Sequence, residues 1–332
     1  MKLDGTILIT GGTGSFGKAF AKYLLKKSYF KKIVIFSRDE LKQHEMRNDE
    51  IFKKNYKKVR FFVGDVRERD RLINAFNNVD YIIHAAALKQ VDTAEYNPFE
   101  FIKTNIHGTE NVIQAAARNS VKKVIALSTD KAVSPINLYG ATKLCSDKLI
   151  IAANNIFGNQ DISFSLVRYG NVMSSRGSVV PVFKKNYKDG KSFKITDPNM
   201  TRFNITLESC VETVMWTLMN SSGGEIVIRK SPSYKIIDLA KAISRQNKIE
   251  IIGLRPGEKI HEDLISQSES NLVFEKDNYY ILLNKILDDR IKKIVKKMKL
   301  KKQLKNFNYN SGSNNKFLSI EQISSLIKET DK

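Results

Sequence analysis

Thr6-Ile7-Leu8-Ile9-Thr10-Gly11-Gly12-Thr13-Gly14-Ser15-Phe16-Gly17 is the stretch on which the fold turns. Its first five residues are the apolar, β-branched run of a buried strand, and the glycines follow at once and open a helix. Glycine permits a tight turn and lets the backbone approach a pyrophosphate, whose charge is favoured at a helix N-terminus. A glycine pattern alone is a weak signal. Its place between a strand and a helix predicts a dinucleotide-binding turn with Gly11, Thr13, Gly14, Ser15, Phe16 and Gly17 as candidate contacts.

Outward from that turn, apolar runs at residues 6–10, 32–37, 59–64, 81–85, 123–128 and 163–168 alternate with helical segments. That alternation predicts parallel strands joined by crossover helices. The runs are nearly continuous, as expected when helices cover both faces of the sheet. The expected class is therefore α/β, a Rossmann-type doubly wound parallel sheet over residues 1–171. From about residue 172 the pattern loosens into short elements near 193–195 and 224–228 between Pro- and Gly-bearing turns. Residues 172–332 are read mainly as a smaller C-terminal α/β lobe that caps the substrate, packed closely on the first with some chain crossing back. The Asn- and Ser-rich residues 306–315 predict an irregular arm before a last helix near 320–328.

A chain of 332 residues, 42% of them hydrophobic, can bury a full core. The net charge of +21 raises the question of nucleic acid, but lysine is spread along the whole chain and the familiar nucleic-acid motifs are absent. In the densest basic run, residues 290–305, Ile291, Ile294, Val295 and Met298 share one helical face. That face predicts a helix packed on the domain or on another subunit, not a nucleic-acid or membrane surface. No apolar stretch approaches the roughly 18 residues of a membrane span. Met1 to Gly5 lead straight into the first strand, which leaves no room for a signal peptide and predicts a cytoplasmic protein. Cys145 and Cys210 lack metal-ligand spacing and are read as packing thiols, so no metal is expected.

At the end of the second strand, where NAD enzymes place an acid on the ribose hydroxyls, stand Ser37 and Arg38, followed by Asp39. An arginine there can pair with a 2′-phosphate, which favours NADP; Asp39 leaves NAD open, and Arg38 has a plainer reading as a surface residue. Asp65-Val66 and Ala85-Ala86 lie at carboxyl ends of strands, where a cofactor crosses the sheet.

Tyr139 and Lys143, four residues apart, share a helical face. A nearby ammonium and an oxidised nicotinamide would lower the phenol from its ordinary pKa of about 10 and make it a base. Ser128-Thr129 comes about ten residues earlier, at a strand end. Next to it, Asp130 and Lys131 supply what oxidation alone does not require, since eliminating water needs one group to remove a proton and another to protonate the leaving hydroxyl. To serve as the base, Lys131 must be depressed toward neutrality, which Lys143 and the nicotinamide charge would do. A turn with an exposed lysine is the plainer reading of the same residues.

With Ser128-Thr129, Tyr139 and Lys143 on a dinucleotide fold, the chain resembles the extended short-chain dehydrogenases over nearly its entire length. Further matches are Ser37-Arg38-Asp39-Glu40-Leu41-Lys42, residues 84–91 with Lys89 inside, residues 139–148 and 168–172, Ser175-Arg176-Gly177-Ser178-Val179-Val180-Pro181, and Arg255-Pro256-Gly257-Glu258-Lys259. Together they are similar to the inverting UDP-N-acetylglucosamine 4,6-dehydratases that begin pseudaminic acid synthesis in bacteria. That resemblance implies NADP on the residues named above with Glu40, Leu41, Lys42 and Lys89. It implies UDP-N-acetylglucosamine held by Lys89, Asn171, Val179, Thr196, Arg255 and Glu258, and a homo-oligomeric enzyme. A nucleotide-sugar epimerase would need Tyr139 but not Asp130 and Lys131; a non-catalytic NADP-binding regulator would need none of them.

Overall fold

The computed structural model describes residues 3–173, 178–283, 288–303 and 306–330. Ser175, Arg176 and Gly177, and residues 304 and 305 of the basic run, lie outside the described residues. Six parallel strands, β1 (Thr6–Thr10), β2 (Lys32–Ser37), β3 (Val59–Val63), β4 (Tyr81–His84), β5 (Lys123–Thr129) and β6 (Ser163–Tyr169), stand in the order β3-β2-β1-β4-β5-β6. Ile7, Leu8, Ile9, Ile82, Ile83, Val124 and Ile125 are all fully buried. Helices Ser15–Lys27 and Leu207–Asn220 cover one face, packing Phe20 and Leu24 with Val214 and Leu218. Helices Arg69–Ala75, Gly108–Arg118 and Leu138–Ile156 cover the other through Leu72, Val112 and Ile150. The strand order reverses between β1 and β4, so their carboxyl ends open a crevice.

The later strands are β7 (Asn171–Val172), β8 (Phe193–Ile195), β9 (Thr201–Ile205), β10 (Glu225–Arg229), β11 (Ser233–Lys235), β12 (Ile249–Ile251), β13 (Asp263–Ile265), β14 (Val273–Lys276), β15 (Tyr279–Leu283), β16 (Lys301–Lys302) and β17 (Tyr309–Asn310). β10 corrects the expectation that residues 224–228 belong to the smaller lobe. It pairs in parallel with β6, and antiparallel β15, β14 and β16 extend the sheet to ten strands. Without it β6 would present an open edge, and Val227 and Ile228 of β10 are themselves fully buried in the sheet.

The smaller lobe carries the sheets β7-β9-β11, β8-β12 and β13-β17, together with helices Val179–Lys188, Ile236–Ile243 and Ile320–Thr330 around Phe183, Phe193, Leu239 and Ile323. β17 lies within the arm expected to be irregular and pairs with β13. Helix Asp288–Met298 turns Ile294 and Met298 onto Ile281 and Leu283 of β15, so its apolar face is used within the chain. Among the described residues no helix is long and apolar enough to cross a membrane, and no cluster of metal-ligating side chains occurs.

Candidate active site

A cleft of about 1000 Å³ runs from the glycine turn, over the carboxyl ends of β1, β4 and β5, to the smaller lobe. Gly11 has a φ of +65°, and a Cβ there would stand 2.9 Å from the Ala86 backbone. At Gly17 a Cβ would come within 2.6 Å of Gly12. The turn thus presses on the sheet and leaves a concave backbone. No side chain caps helix Ser15–Lys27, so its first-turn N–H groups remain for an anion. Those features fit a dinucleotide pyrophosphate.

Beside it, Arg38 is half-exposed and reaches Asp65 Oδ2 at 3.5 Å, an oxygen that Arg67 Nη2 holds at 2.7 Å. Burial raises the Asp65 carboxyl, but hydrogen bonds from Arg67 and the charges of Arg67 and Arg38 outweigh it and leave it below its ordinary value. Asp39 is committed elsewhere. Its Oδ1 accepts from the Lys42 N–H at 2.9 Å, capping helix Glu40–Asn48, and its Oδ2 pairs with Lys42 Nζ at 2.6 Å. Gly11, Thr13, Gly14, Ser15, Phe16, Gly17, Ser37, Lys42, Val66, Ala85, Ala86 and Lys89 also line the cleft. Glu40 and Leu41 do not: they begin the capped helix with exposed side chains turned to solvent.

Helix Leu138–Ile156 starts at Asn137, whose Oδ1 accepts from the Gly140 N–H at 2.8 Å. One turn in, Tyr139 and Lys143 are both buried on the cleft side. Lys143 Nζ donates to the Leu127 carbonyl at 2.8 Å, and burial lowers its pKa against the pull of Asp147. The chain's own groups push Tyr139 up to about 12, because burial, with Asp130 and Asp147, outweighs the lowering by Lys131 and the Thr129 hydroxyl. β5 alternation separates the two hydroxyl residues. Ser128 turns to Asp147, donating to Oδ2 at 2.6 Å, whereas Thr129 faces Tyr139 and Asp130.

Asp130 is 1% exposed. Its Oδ1 accepts from Thr129 Oγ1 at 2.9 Å and from Lys131 Nζ at 3.1 Å, while Oδ2 is buried without a partner. Lys131 Nζ also lies 3.2 Å from Glu262 Oε1. Burial lowers the Lys131 ammonium, yet Asp130 and Glu262 together hold it well above its ordinary value. The expected depression by Lys143 is therefore corrected: two buried carboxylates flank Lys131, and the Lys143 ammonium is engaged on Leu127.

Asn171, Val179, Thr196, Arg255 and Glu258 line the far end of the same cleft, as Lys89 does the near side. Asn171 Oδ1 is buried without a partner, and Arg255 is exposed. Asn137 Nδ2 donates to the Gly257 carbonyl at 2.8 Å, and Lys259 Nζ to the Val133 carbonyl at 2.8 Å, which ties this loop to the segment that leads into helix Leu138–Ile156. Sequence reasoning missed Glu262, Arg202, Tyr234 and Asp147. Only Asp147 had a signal, since it continues the four-residue spacing of Tyr139 and Lys143.

A family model described as polysaccharide biosynthesis protein matches residues 7–284. The chain belongs to that family. This family member is 51% identical over 330 residues, 98% of both chains, to the UDP-N-acetylglucosamine 4,6-dehydratase (inverting) of Campylobacter jejuni. It is 47% identical over 287 residues, 84% of this chain and 83% of the other, to the UDP-glucose 4-epimerase of Rickettsia bellii. The solved structure of Pen from Bacillus thuringiensis superposes with a TM-score of 0.88 at 37% identity, covering 99% of this chain and 100% of the other.

Proposed function

We propose that the protein is an NADP-dependent UDP-N-acetylglucosamine 4,6-dehydratase that inverts carbon 5, serving pseudaminic acid-type sugar synthesis as a homo-oligomer. The observation that carries this reading is the Asp130–Lys131 pair that lines the cleft with Tyr139, its Asp130 buried and left with one unpartnered oxygen. An epimerase has no use for it, although the similarity to a protein named as one keeps that alternative in the test.

Bound NADP supplies the hydride acceptor at carbon 4 and the hydride returned to carbon 6. Tyr139 takes the proton of the 4-hydroxyl, a task for which the positive charge of an oxidised nicotinamide would offset the burial that raises the phenol. A ketone at carbon 4 acidifies the hydrogen on carbon 5. Moving one proton from Lys131 Nζ to Asp130, across 3.1 Å, then creates both the neutral amine base and the carboxylic acid that elimination needs. Lys131 takes the carbon 5 proton and Asp130 protonates the departing 6-hydroxyl, so the pair returns to its ionic form. A proton delivered to carbon 5 on the opposite face, replacing through solvent the one that Tyr139 took and then releases, gives the L-arabino sugar. Arg38 suits a 2′-phosphate and Asp39 is occupied as a cap, which supports NADP over NAD.

The test is NMR of the product from UDP-N-acetylglucosamine in heavy water. The first-formed 4-keto-6-deoxy sugar is expected with deuterium at carbon 5, none at carbon 6, and the L-arabino configuration. A D-xylo product would make the enzyme a retaining dehydratase; an unreduced 4-epimer with its 6-hydroxyl intact would make it an epimerase.

A further inference from the structure

Glu262 reaches the reacting pair from the other lobe. It is 3% exposed, its Oε1 stands 3.2 Å from Lys131 Nζ and 3.9 Å from Arg202 Nε, and its Oε2 is buried with no partner. Its backbone is clamped: the Glu262 N–H donates to Ser311 Oγ at 2.9 Å, and the Ser311 N–H donates to the Glu262 carbonyl at 2.8 Å. Ser311 Oγ meets Thr201 Oγ1 at 2.8 Å, and Arg202 Nη1 donates to the Ile260 carbonyl at 3.0 Å. The backbone at 262 is thus fixed, and the carboxylate it carries is buried at a desolvation cost that an apolar residue would avoid.

We propose that Glu262 is a positioning residue of the dehydration, which holds the Lys131 amine against Asp130 and strengthens it as a base toward carbon. This deepens the dehydratase reading and rests on it for the reaction, though not for the placement. A carbon-bound hydrogen beside a ketone is a weak acid, so its base needs a high proton affinity in the form that attacks. A second carboxylate on the amine raises that affinity. The neutral amine is nonetheless reached by proton transfer to Asp130, since Asp130 takes up the proton and both groups become neutral. The charged and titratable groups around Lys131 are Asp130 on its own turn, Tyr139 on the catalytic helix, Arg202 of β9, and Glu262, with Lys259 and Tyr234 of β11 facing the cluster. Glu262 is the acid contributed to the pair from outside its own turn.

The experiment measures the pH dependence of Lys131 acetylation by acetic anhydride, located by mass spectrometry, in the wild type and in Glu262→Gln. The amide keeps the shape and removes the charge, and the Lys131 midpoint is expected to fall by roughly 1–3 pH units. In parallel, kcat for product formation is expected to fall at least about tenfold with KM within about twofold, and the alkaline limb of the kcat profile to move down in pH with the acetylation midpoint. An unchanged midpoint in a folded Glu262→Gln protein overturns the proposal, as does a KM rise with an unmoved pH profile. Should Glu262→Gln not fold, Glu262→Asp keeps the charge one methylene further back. A midpoint below that of the wild type is then expected, and a wild-type midpoint overturns the proposal. If the wild type makes no dehydrated product while the midpoint still shifts, the dehydratase reading fails and the placement of Glu262 stands.

Discussion

Tyr139 illustrates how a single side chain depends on its surroundings. The chain's own groups push it up to about 12, so it is a phenol at neutral pH until a positive charge joins it. Its folded pKa lies above the ordinary 10, so the stability linked to it is intact below about pH 10 and is lost as pH rises through about 12. Alkaline titration followed by phenolate absorbance, with Tyr139→Phe as the blank, should show one tyrosine with a midpoint near 12 that falls when oxidised cofactor is added. A second prediction concerns Arg38: Arg38→Ala should weaken NADP by about 1.5–3 kcal/mol and leave NAD nearly untouched, since only the phosphate contact is charge-assisted. Equal weakening of both in a binding titration would assign Arg38 to its ion pair with Asp65 alone. Lys131→Met should bind nucleotide sugar yet give no dehydrated product, and near-normal turnover would remove Lys131 from the chemistry.

At the scale of elements, what the sequence could say depended on distance along the chain. The glycine turn and the Tyr139–Lys143 pair were readable because a helix or a strand-turn-helix fixes residues a few positions apart. Ser128 and Thr129 could not be ranked until strand alternation sent one hydroxyl to Asp147 and the other to the cleft. Glu262 and Arg202 were invisible, because they meet Lys131 only through the docking of β9 and the segment before β13, and no periodicity marks such a contact. β10 was misplaced for the same reason. His84 at the end of β4 lies buried between Thr10 and Thr109, and burial, helped by the Lys143 charge, lowers it to about 3. A histidine depressed from 6.5 stabilises the fold above about pH 6.5, and that contribution is lost as pH falls toward 3, on the order of 4–5 kcal/mol in all. Urea midpoints at pH 7 and pH 4 should therefore differ more for the wild type than for His84→Gln, which cannot titrate.

Across the whole molecule, the two lobes are joined by buried charge as well as apolar packing. Arg168 of β6 is 2% exposed; its Nη1 donates to the Leu264 carbonyl at 3.1 Å and to Glu269 at 3.1 Å, and its Nη2 faces Asp147 Oδ2 at 3.7 Å. Arg168→Leu would leave Asp147 buried with one partner fewer and cut the tie to Glu269, a loss of about 3–5 kcal/mol. Urea unfolding should show it as a lower midpoint. Replacing both Arg168 and Glu269 by leucine should recover part of it, and no recovery would mean that the two do not act as a pair.

The Ser311 clamp on Glu262 also carries a message about timing. Residue 311 fixes residue 262, which in turn holds residue 131, and a ribosome makes them in the opposite order. The glycine cradle, Tyr139 and Lys143 are all on hand in a nascent chain well before the clamp is made. Such a chain has the glycine cradle and the tyrosine–lysine helix face, but not the acid that steadies Lys131. Lys131 and Asp130 are thus synthesised long before the carboxylate and the clamp that hold them, and the pair reaches its final setting only when the last part of the chain has been made.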